Sequence, residues 1–448
     1  MIRAHGARAR RVVGVLLTGI AVGCLGAGPA RAQQWSFEEV VANLKVGDPK
    51  VRMEALRLLR QAGYLEGAAA VAPLLTDPVP EIQQLAIETV VSLYLVDEAY
   101  VIEFGQAAVK QKGASLPLLA FAVGRGVTIA NTPPPGVVRA LASGLASAVP
   151  NTTFDAAYAI GVLGPPLIRQ GQFPEGRQTF ERLINLSRDP NPGIRLAATH
   201  VIGRLMGAAL DNPSVNADIL ALRGDLGDQL ISGMNDSDPL IKLAAMAALG
   251  ELRHDRAIQA LTDALAYYKR DALGVAALDA LAHIAHPSSL TLFSALLDAK
   301  DDHGRQAAVE GVARSGDTTA LSNLLVRTTR EQSRLLLQAV AFARAKQGDF
   351  SQIARVVEGL RDAETSAYAF AYLVELGPPL APSLAGAASD KDPRVRAGVA
   401  EVLGIIGSQA SLPVLDSLSN DKDNAVAAAA RRSQRRLVPR APAQPRVP

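Results

Sequence analysis

The chain has 448 residues, of which 49% are hydrophobic and only 4% are aromatic, and its formal net charge is +3 at pH 7. Its excess of cations lies at the two ends, because the body from 33 to 430 carries 35 cations against 43 acids, a net charge of −8. An acidic body disfavours nucleic-acid binding, since that affinity comes mainly from neutralising phosphates. The single cysteine, Cys24, excludes an internal disulfide and a thiolate-rich metal site.

Residues 1–32 have the composition of a secretory signal peptide. Arginines precede an apolar run from Val12 to Gly28, and Ala30-Arg31-Ala32 supplies an A-x-A cleavage site. The run is shorter than the about 20 apolar residues that a membrane-spanning helix needs. We therefore expect cleavage before Gln33 and a mature protein in the periplasm or outside a bacterial cell. Lipoprotein processing at Cys24 is the less favoured alternative, because no leucine stands three places before it.

A short motif recurs along the body: Asp-Pro, then one variable residue, an apolar residue and a cation. The full copies are Asp48-Pro49-Lys50-Val51-Arg52, Asp238-Pro239-Leu240-Ile241-Lys242 and Asp392-Pro393-Arg394-Val395-Arg396. Degenerate copies begin at Asp77, Asn191, Asp271, Asp301, Arg330, Asp362 and Asp423. From 238 onward the steps between copies are 33, 30, 29, 32, 30 and 31 residues. A fixed period of this length predicts a stack of supersecondary units.

The copy at 392 predicts a unit of two helices. Asp392 is a natural N-cap, and Pro393 suits the first helical position. An apolar stripe at spacings of three and four follows and stops at Gly407; its members are Val395, Val399, Val402, Leu403 and Ile406. A second amphipathic helix contains Leu412, Leu415 and Leu418. Because two short helices cannot bury such stripes alone, neighbouring units must stack, which predicts an all-α solenoid.

Further helix ends are predicted from glycine and proline. These stops are Gly250, Gly164-Pro165-Pro166 and Gly377-Pro378-Pro379. Two segments fit the period poorly: residues 100–150, which contain a run of three prolines, and residues 206–227, which have the length of an insertion between helices. Interruptions in repeat arrays usually fall on one face, which can be the binding face. Plain degeneration of the repeat is the open alternative.

The Asp-Pro-x-Val-Arg starts and alanine-rich centres, such as Leu-Ala-Ala-Met-Ala-Ala-Leu-Gly at 243–250, resemble HEAT repeats. The short period resembles the phycobilisome-lyase-type HEAT-like subclass. This resemblance covers roughly residues 36 to 430 and implies a superhelix of stacked two-helix HEAT-like repeats over 33–430. It also implies that the aspartates and cations act as structural caps and as a ladder between units. The matching positions are Asp48, Arg52, Asp238, Lys242, Asp301, Arg305, Asp392 and Arg396.

Residues 431–448 differ in composition from the body. They contain six arginines, four prolines and no acid. Because few apolar residues are available for docking, we expect a disordered tail. A weak contact with an anionic envelope surface and a merely solubilising role are both open.

One set of residues has the chemistry of a metal site. Asp279, His283 and His286 fall on one helical face at i, i+4 and i+7. Three ligands from one straight helix do not easily converge on one ion, so we predict no metal site. The chain also lacks the His-Glu pairs by which the HEAT-like deoxyhypusine hydroxylases bind iron, and it lacks a Gly-rich phosphate loop. We therefore expect no catalytic residues and no cofactor.

The sequence predicts an exported HEAT-repeat scaffold that binds a protein or peptide partner. The binding surface would be the extended concave face, lined by the second helix of each unit. The alternative is a HEAT-like enzyme or enzyme accessory of the lyase or hydroxylase type.

Overall fold

The computed structural model describes residues 35–94 and 132–438; residues 1–34, which include the predicted signal peptide, residues 95–131 and residues 439–448 lie outside these ranges. The described residues form an all-α solenoid without any β-strand. No helix among them combines the length and the apolar character needed to cross a membrane. The α-helices are α1 Phe37–Asn43, α2 Pro49–Ala62, α3 Ala68–Val71, α4 Pro80–Tyr94, α5 Pro135–Gly144, α6 Pro150–Arg169, α7 Gly176–Leu186, α8 Pro192–Leu210, α9 Ala217–Leu220, α10 Arg223–Gly233, α11 Pro239–Leu252, α12 Ile258–Tyr268, α13 Ala272–Ile284, α14 Leu290–Leu296, α15 Asp302–Ser315, α16 Thr318–Arg327, α17 Arg334–Lys346, α18 Ile353–Glu358, α19 Ser366–Leu376, α20 Ala381–Ala387, α21 Pro393–Ile406, α22 Leu412–Ser419 and α23 Asn424–Leu437.

The helices form two rows. The inner row contains α2, α4, α6, α8, α11, α13, α15, α17, α19, α21 and α23, and each of these inner helices packs on the next. The remaining helices form the outer row, where successive members pack on one another less extensively. Small residues allow the close approach in the inner row: a Cβ at Gly203 would lie 2.8 Å from the Cβ of Ala248.

The stack is concave on the side of the inner row. The amide of Gln306 on α15 donates to the hydroxyl of Tyr372 on α19 at 2.8 Å, across the intervening helix α17. Helices two units apart can touch in this way only where their row bends inward. The sequence prediction places the second helix of each unit on the concave surface; we infer that the first helix lines it instead, because the small residues that shorten the spacing lie on the first helix.

The unit at 392 is confirmed in detail. Helix α21 begins at Pro393 after the N-cap Asp392 and ends before Gly407. The predicted stripe is buried throughout, from Val395 at 0% exposure to Ile406 at 7%. On the second helix, α22, Leu415 and Leu418 are buried as well.

Two of the predicted helix ends were wrong. Pro165 and Pro166 lie inside the 20-residue helix α6, which is packed between α4 and α8. Burial of its apolar side chains on both neighbours offsets the cost of prolines within a helix. Gly250 also lies inside its helix, and α11 continues to Leu252. The stop at Gly377 is confirmed, since this glycine has a φ of 77° directly after α19.

Other boundaries shift by a few residues. At the degenerate copies at Arg330 and Asp362 the helices start three residues later than the motif predicts. Helix α17 follows the N-cap Ser333, and α19 follows the N-cap Thr365. The irregular segment predicted at 206–227 is shorter than expected: α8 reaches Leu210, and α10 begins at Arg223.

The boundary of the C-terminal tail at 431 was wrong. Helix α23 continues to Leu437, and Ser433 is completely buried within it. Arg432 and Arg436 form ion pairs with Glu401 on α21, the latter at 2.7 Å. A count of charges along the tail misses this contact, because the acid that pairs with these arginines lies one unit earlier in the chain.

Candidate partner-binding surface

The predicted cap aspartates lie at the N-caps of inner helices. The carboxylates of Asp48, Asp238 and Asp392 each accept a hydrogen bond at 2.9 Å from the backbone N–H two residues later. Asp301 accepts one from the N–H of Gly304 at 2.7 Å. Each side chain thus satisfies a helical N–H group that would otherwise have no partner.

Where the ladder is complete, an arginine four residues after the cap connects a unit to the next one. Arg396 binds Asp421 at 2.7 Å, and it also donates to the carbonyl oxygens of its own preceding loop. Arg195 binds Asp236 at 2.9 Å in the same way. Asp421 and Asp236 both lie two residues before the next N-cap. The acids that receive the arginines are therefore a second set, distinct from the cap aspartates.

The remaining ladder positions follow this rule to different degrees. Arg52 binds Asp77 at 3.1 Å, and Arg305 lies 3.7 Å from Glu331 and 2.6 Å from Asp302. At the ladder position of α11 the cation is Lys242, and its ammonium lies 3.3 Å from the hydroxyl of Tyr268 instead of near an acid. At four inner helices the ladder position is apolar, with Val275 on α13, Leu337 on α17, Ala369 on α19 and Ala427 on α23. The ladder is a structural device at one edge of the solenoid.

The surface available to a partner is set by the register of the inner helices. Positions five, nine and thirteen after the N-cap share one face of a helix. On α11 these are Leu243, Ala247 and Glu251. Ala247 is exposed, and the other two are partly exposed. We call the surface formed by these positions along the inner row the inner face. It extends over successive inner helices and lies on the concave side of the solenoid.

A polar network covers the inner face between α15 and α19. The guanidinium of Arg314 contacts Glu310 at 2.8 Å and Glu375 at 2.9 Å. The hydroxyl of Tyr372 donates to Glu310 at 2.5 Å, and its ring stacks on Phe342 at 4.4 Å. Burial and the Glu310 carboxylate raise the pKa of Tyr372 well above 10, so its hydroxyl remains a hydrogen-bond donor. This network fixes three successive inner helices relative to one another.

The three candidate metal ligands, Asp279, His283 and His286, each contact a different partner. The carboxylate of Asp279 lies 3.1 Å from Nε2 of His303 on α15 and raises the pKa of that histidine. His283 Nδ1 contacts the backbone oxygen of Asp279 at 2.9 Å, and His286 caps a short turn through Ser288. The three side chains do not converge, and the described residues contain no other cluster of histidines, cysteines and carboxylates suited to a metal ion.

Sequence reasoning missed the inner-face network. The signal was present, because Gln306, Glu310 and Arg314 occupy positions five, nine and thirteen after the cap Asp301. Their partners on α19 could not be identified, since Tyr372 and Glu375 lie two units away and follow a shifted N-cap. Polar residues in the helical register do not reveal by themselves which distant unit they contact.

In the amino-terminal part of the inner face, the three positions on each of α2, α4 and α6 include one acid, Glu88. Glu88 on α4 pairs with Arg60 on α2 at 2.8 Å. On the neighbouring helix α6, burial and the Glu88 carboxylate raise the pKa of Asp155 to about 6. The irregular segment after α8 does not contribute to these acidic contacts. Its residues Val215 and Ile219 line an open cleft of about 470 Å³ together with Phe173.

Two family models match parts of the chain and agree with this repeat architecture. The HEAT repeats family matches residues 353–434, and the PBS lyase HEAT-like repeat family matches residues 241–267. No curated protein matches the chain. Among solved structures, a designed armadillo repeat protein in complex with the peptide (KR)4 is 14% identical, with a TM-score of 0.36 over 62% of this chain and 99% of that chain. Importin beta in an ammonium sulfate condition is 14% identical, with a TM-score of 0.37 over 89% of this chain and 56% of that chain. The Kap95:Nup1 complex is 15% identical, with a TM-score of 0.35 over 88% and 49% of the two chains.

Proposed function

Because this chain is a HEAT-repeat protein, we propose that it is a scaffold that binds a protein or peptide partner along the inner face. The concave inner face carries this proposal, since it presents side chains at fixed positions of successive helices. Such a surface offers many shallow contacts and suits an extended partner better than a small molecule.

Helix α11 offers the clearest apolar contact point on this face. Leu240 is 40% exposed, and Leu243 lies one turn further along the helix with its side chain partly exposed. Ala247 continues the same exposed strip. An apolar strip surrounded by polar side chains is the usual centre of a protein interface.

The test compares one inner and one outer substitution. The mature chain is used to isolate a partner from envelope extract, and the partner is identified by mass spectrometry and purified. We expect Leu243→Arg to weaken its affinity at least about tenfold, because the substitution introduces a charge at the centre of the interface. The matched control is Val326→Arg on the outer helix α16, where the parent side chain is 71% exposed. Equal affinity of both variants for the partner would contradict the assignment of the inner face.

We also propose that the scaffold is exported after cleavage before Gln33. The support is the arginine-rich start, the apolar run and the A-x-A site within residues 1–32. Amino-terminal sequencing of the native protein should give Gln33 as the first residue. An intact Met1 on a cytoplasmic protein would exclude export and reopen the enzyme classes.

We propose that the chain is not an enzyme. Asp279, His283 and His286, the strongest metal-ligand candidates in the sequence, are engaged in separate structural contacts. The triple alanine variant should retain the fold and the partner. Tight zinc or iron binding that is lost in this variant would favour the alternative of a lyase- or hydroxylase-type enzyme.

The charge distribution supports a protein partner over a nucleic acid, because the body from 33 to 430 has a net charge of −8.

Contact of the basic C-terminal segment with an anionic envelope surface is a weaker proposal. Two of its six arginines, Arg432 and Arg436, already pair with Glu401. Truncation after Val438 should reduce association with anionic vesicles, and added salt should have the same effect.

A further inference from the structure

The ladder is interrupted next to an open cleft. At α17 the ladder position holds Leu337, and Ala363 stands two residues before the next N-cap, Thr365, where other units carry the receiving acid. A cleft of about 500 Å³ lies there, between the start of α17, the end of α18 and the start of α19. We call it the rung cleft.

Among the residues that the structure describes, the rung cleft contains one cation without an ion pair. Three arginines line it, and two of them are paired: Arg334 with Asp362 at 2.8 Å and Arg361 with Asp390 at 3.0 Å. The exposed guanidinium of Arg355 forms no ion pair within residues 35–94 and 132–438. It can therefore bind an anionic group without giving up an existing partner.

The rung cleft also contains a buried acceptor without a donor. Gln338 lines the cleft and is only 2% exposed. Its Nε2 donates weakly to the backbone oxygen of Thr365 at 3.4 Å, whereas its Oε1 has no hydrogen-bond partner in the described part of the chain. A buried acceptor in this state lowers stability, so an N–H group brought in by a ligand would be favourable.

A second acceptor stands at the rim. The exposed carboxylate of Glu358 lines the same cleft, three residues after Arg355 on α18. The ligand that uses all three groups carries an anion for Arg355 and N–H or ammonium donors for Gln338 and Glu358. A free oxyanion or a nucleic-acid backbone supplies only the anion, and its charge is repelled by Glu358. A polypeptide supplies all three groups, because its backbone N–H groups alternate with side chains that can be acidic or basic.

We propose that the rung cleft docks an extended polypeptide segment with acidic and basic side chains next to each other. The inference rests on the proposed function as a protein-binding scaffold and adds a second contact site, at the edge of the solenoid. The acidic side chain binds Arg355, the basic one binds Glu358, and a backbone N–H donates to Gln338.

Fluorescence anisotropy with labelled peptides tests this site on the mature full-length chain. The probe is a peptide of alternating glutamate and lysine; an all-glutamate peptide, an all-lysine peptide and oligothymidylate of the same length are comparators. We expect the alternating peptide to bind most tightly. Arg355→Ala should weaken its binding about tenfold through loss of a charge-assisted contact. Arg177→Ala, at an exposed arginine on α7, is the matched control and should have no effect.

A second variant fills the cleft instead of removing a charge. The double substitution Leu337→Arg and Ala363→Asp installs the missing ladder pair, and we expect it to abolish peptide binding. Equal binding of oligothymidylate or of the all-glutamate peptide would overturn the proposal, and so would no effect of Arg355→Ala. Leu243→Arg separates the two proposals: if the alternating peptide fails to bind but Leu243→Arg still loses the native partner, the rung cleft alone is wrong.

Discussion

Between α21 and α23 consecutive units are joined both at the edge of the solenoid and by ion pairs of Glu401 on the inner face, whereas between α15 and α19 the inner-face contacts reach across two units. In the first region Arg396 binds Asp421 and the carbonyl oxygens of its own loop. In the second region the ladder position of α17 is Leu337, and the polar contacts run from Arg314 and Glu310 to side chains on α19.

The difference has a consequence for binding. A ladder contact joins consecutive units and leaves the inner face free, as on α11, where Leu243 and Ala247 remain accessible. The inner-face network instead joins units two apart and occupies the surface that a partner would use. We infer that partner contacts concentrate where the edge ladder holds the units, and that the network maintains the bend between α15 and α19.

The largest effect is expected from a change in the core that both regions share. Val395 is completely buried on α21. Val395→Asp places an unpaired charge between units, and we expect the free energy of unfolding to fall by about 4 kcal/mol. Urea denaturation followed by circular dichroism measures it. Val326→Asp, at a side chain that is 71% exposed, should leave stability nearly unchanged; an unchanged midpoint for Val395→Asp would show that the register of the unit is wrong.

Truncation tests the last inner helix. Removal of everything after Ala430 leaves Glu401, which is 5% exposed, without its two arginines. Breaking a buried pair in this way should cost about 3 kcal/mol in unfolding free energy. The control is truncation after Val438, which retains α23 and should melt like the full chain. Limited proteolysis should likewise stop near Val438 and not at Arg431.

Loss of one ladder contact should have a smaller effect. Arg396→Ala removes the ion pair to Asp421 and two hydrogen bonds to backbone oxygens. We expect unfolding free energy to fall by about 2 kcal/mol, since hydrogen bonds of charged groups are lost at a nearly buried position. Arg394→Ala, at the exposed arginine two residues earlier, is the matched control. If both variants were equally stable, the ladder would not stabilise the units.

The inner-face network should respond to removal of a single hydroxyl. Tyr372→Phe keeps the stacking on Phe342 but deletes the hydrogen bonds with Glu310 and Gln306. The expected loss is about 1 kcal/mol. Tyr368→Phe changes a half-buried tyrosine on the same helix and serves as control. Small-angle scattering should show a wider solenoid for Tyr372→Phe alone, and identical scattering curves would argue against the network as the cause of the bend.

The sequence was sufficient for the fold but not for the surface. The N-cap aspartates, the apolar stripe of the 392 unit and the period of about 30 residues are local patterns, so they can be read without knowledge of distant contacts. The helix through Pro165 and Pro166 could not be predicted, because packing on two neighbours overrides the local cost of proline. The same holds for Ser433, whose burial depends on α21 and not on the composition around it.

The side of the solenoid that faces a partner also required the structure. Spacing identifies which residues share a helical face, but the direction of curvature depends on how closely neighbouring backbones approach. Gly203 against Ala248 and Gly250 against Ala280 bring the inner helices together. A glycine in a helical pattern reads as a stop in the sequence, although at Gly250 it permits close packing inside a helix.

The smallest expected effect concerns the pH dependence of the contact between α13 and α15. The Asp279 carboxylate raises the pKa of His303 above 6.5, with further help from Glu310 and Asp301. A histidine whose pKa is raised in the folded state stabilises it fully below the unfolded pKa, and this stabilisation is lost as the pH rises through the folded pKa. The difference in unfolding free energy between the parent and His303→Gln should therefore be present at about pH 5.5 and disappear by about pH 9. Since Asp279 and His303 are both partly exposed, we expect it to stay below about 1 kcal/mol. An advantage of the parent that grows toward high pH would contradict the assigned contact.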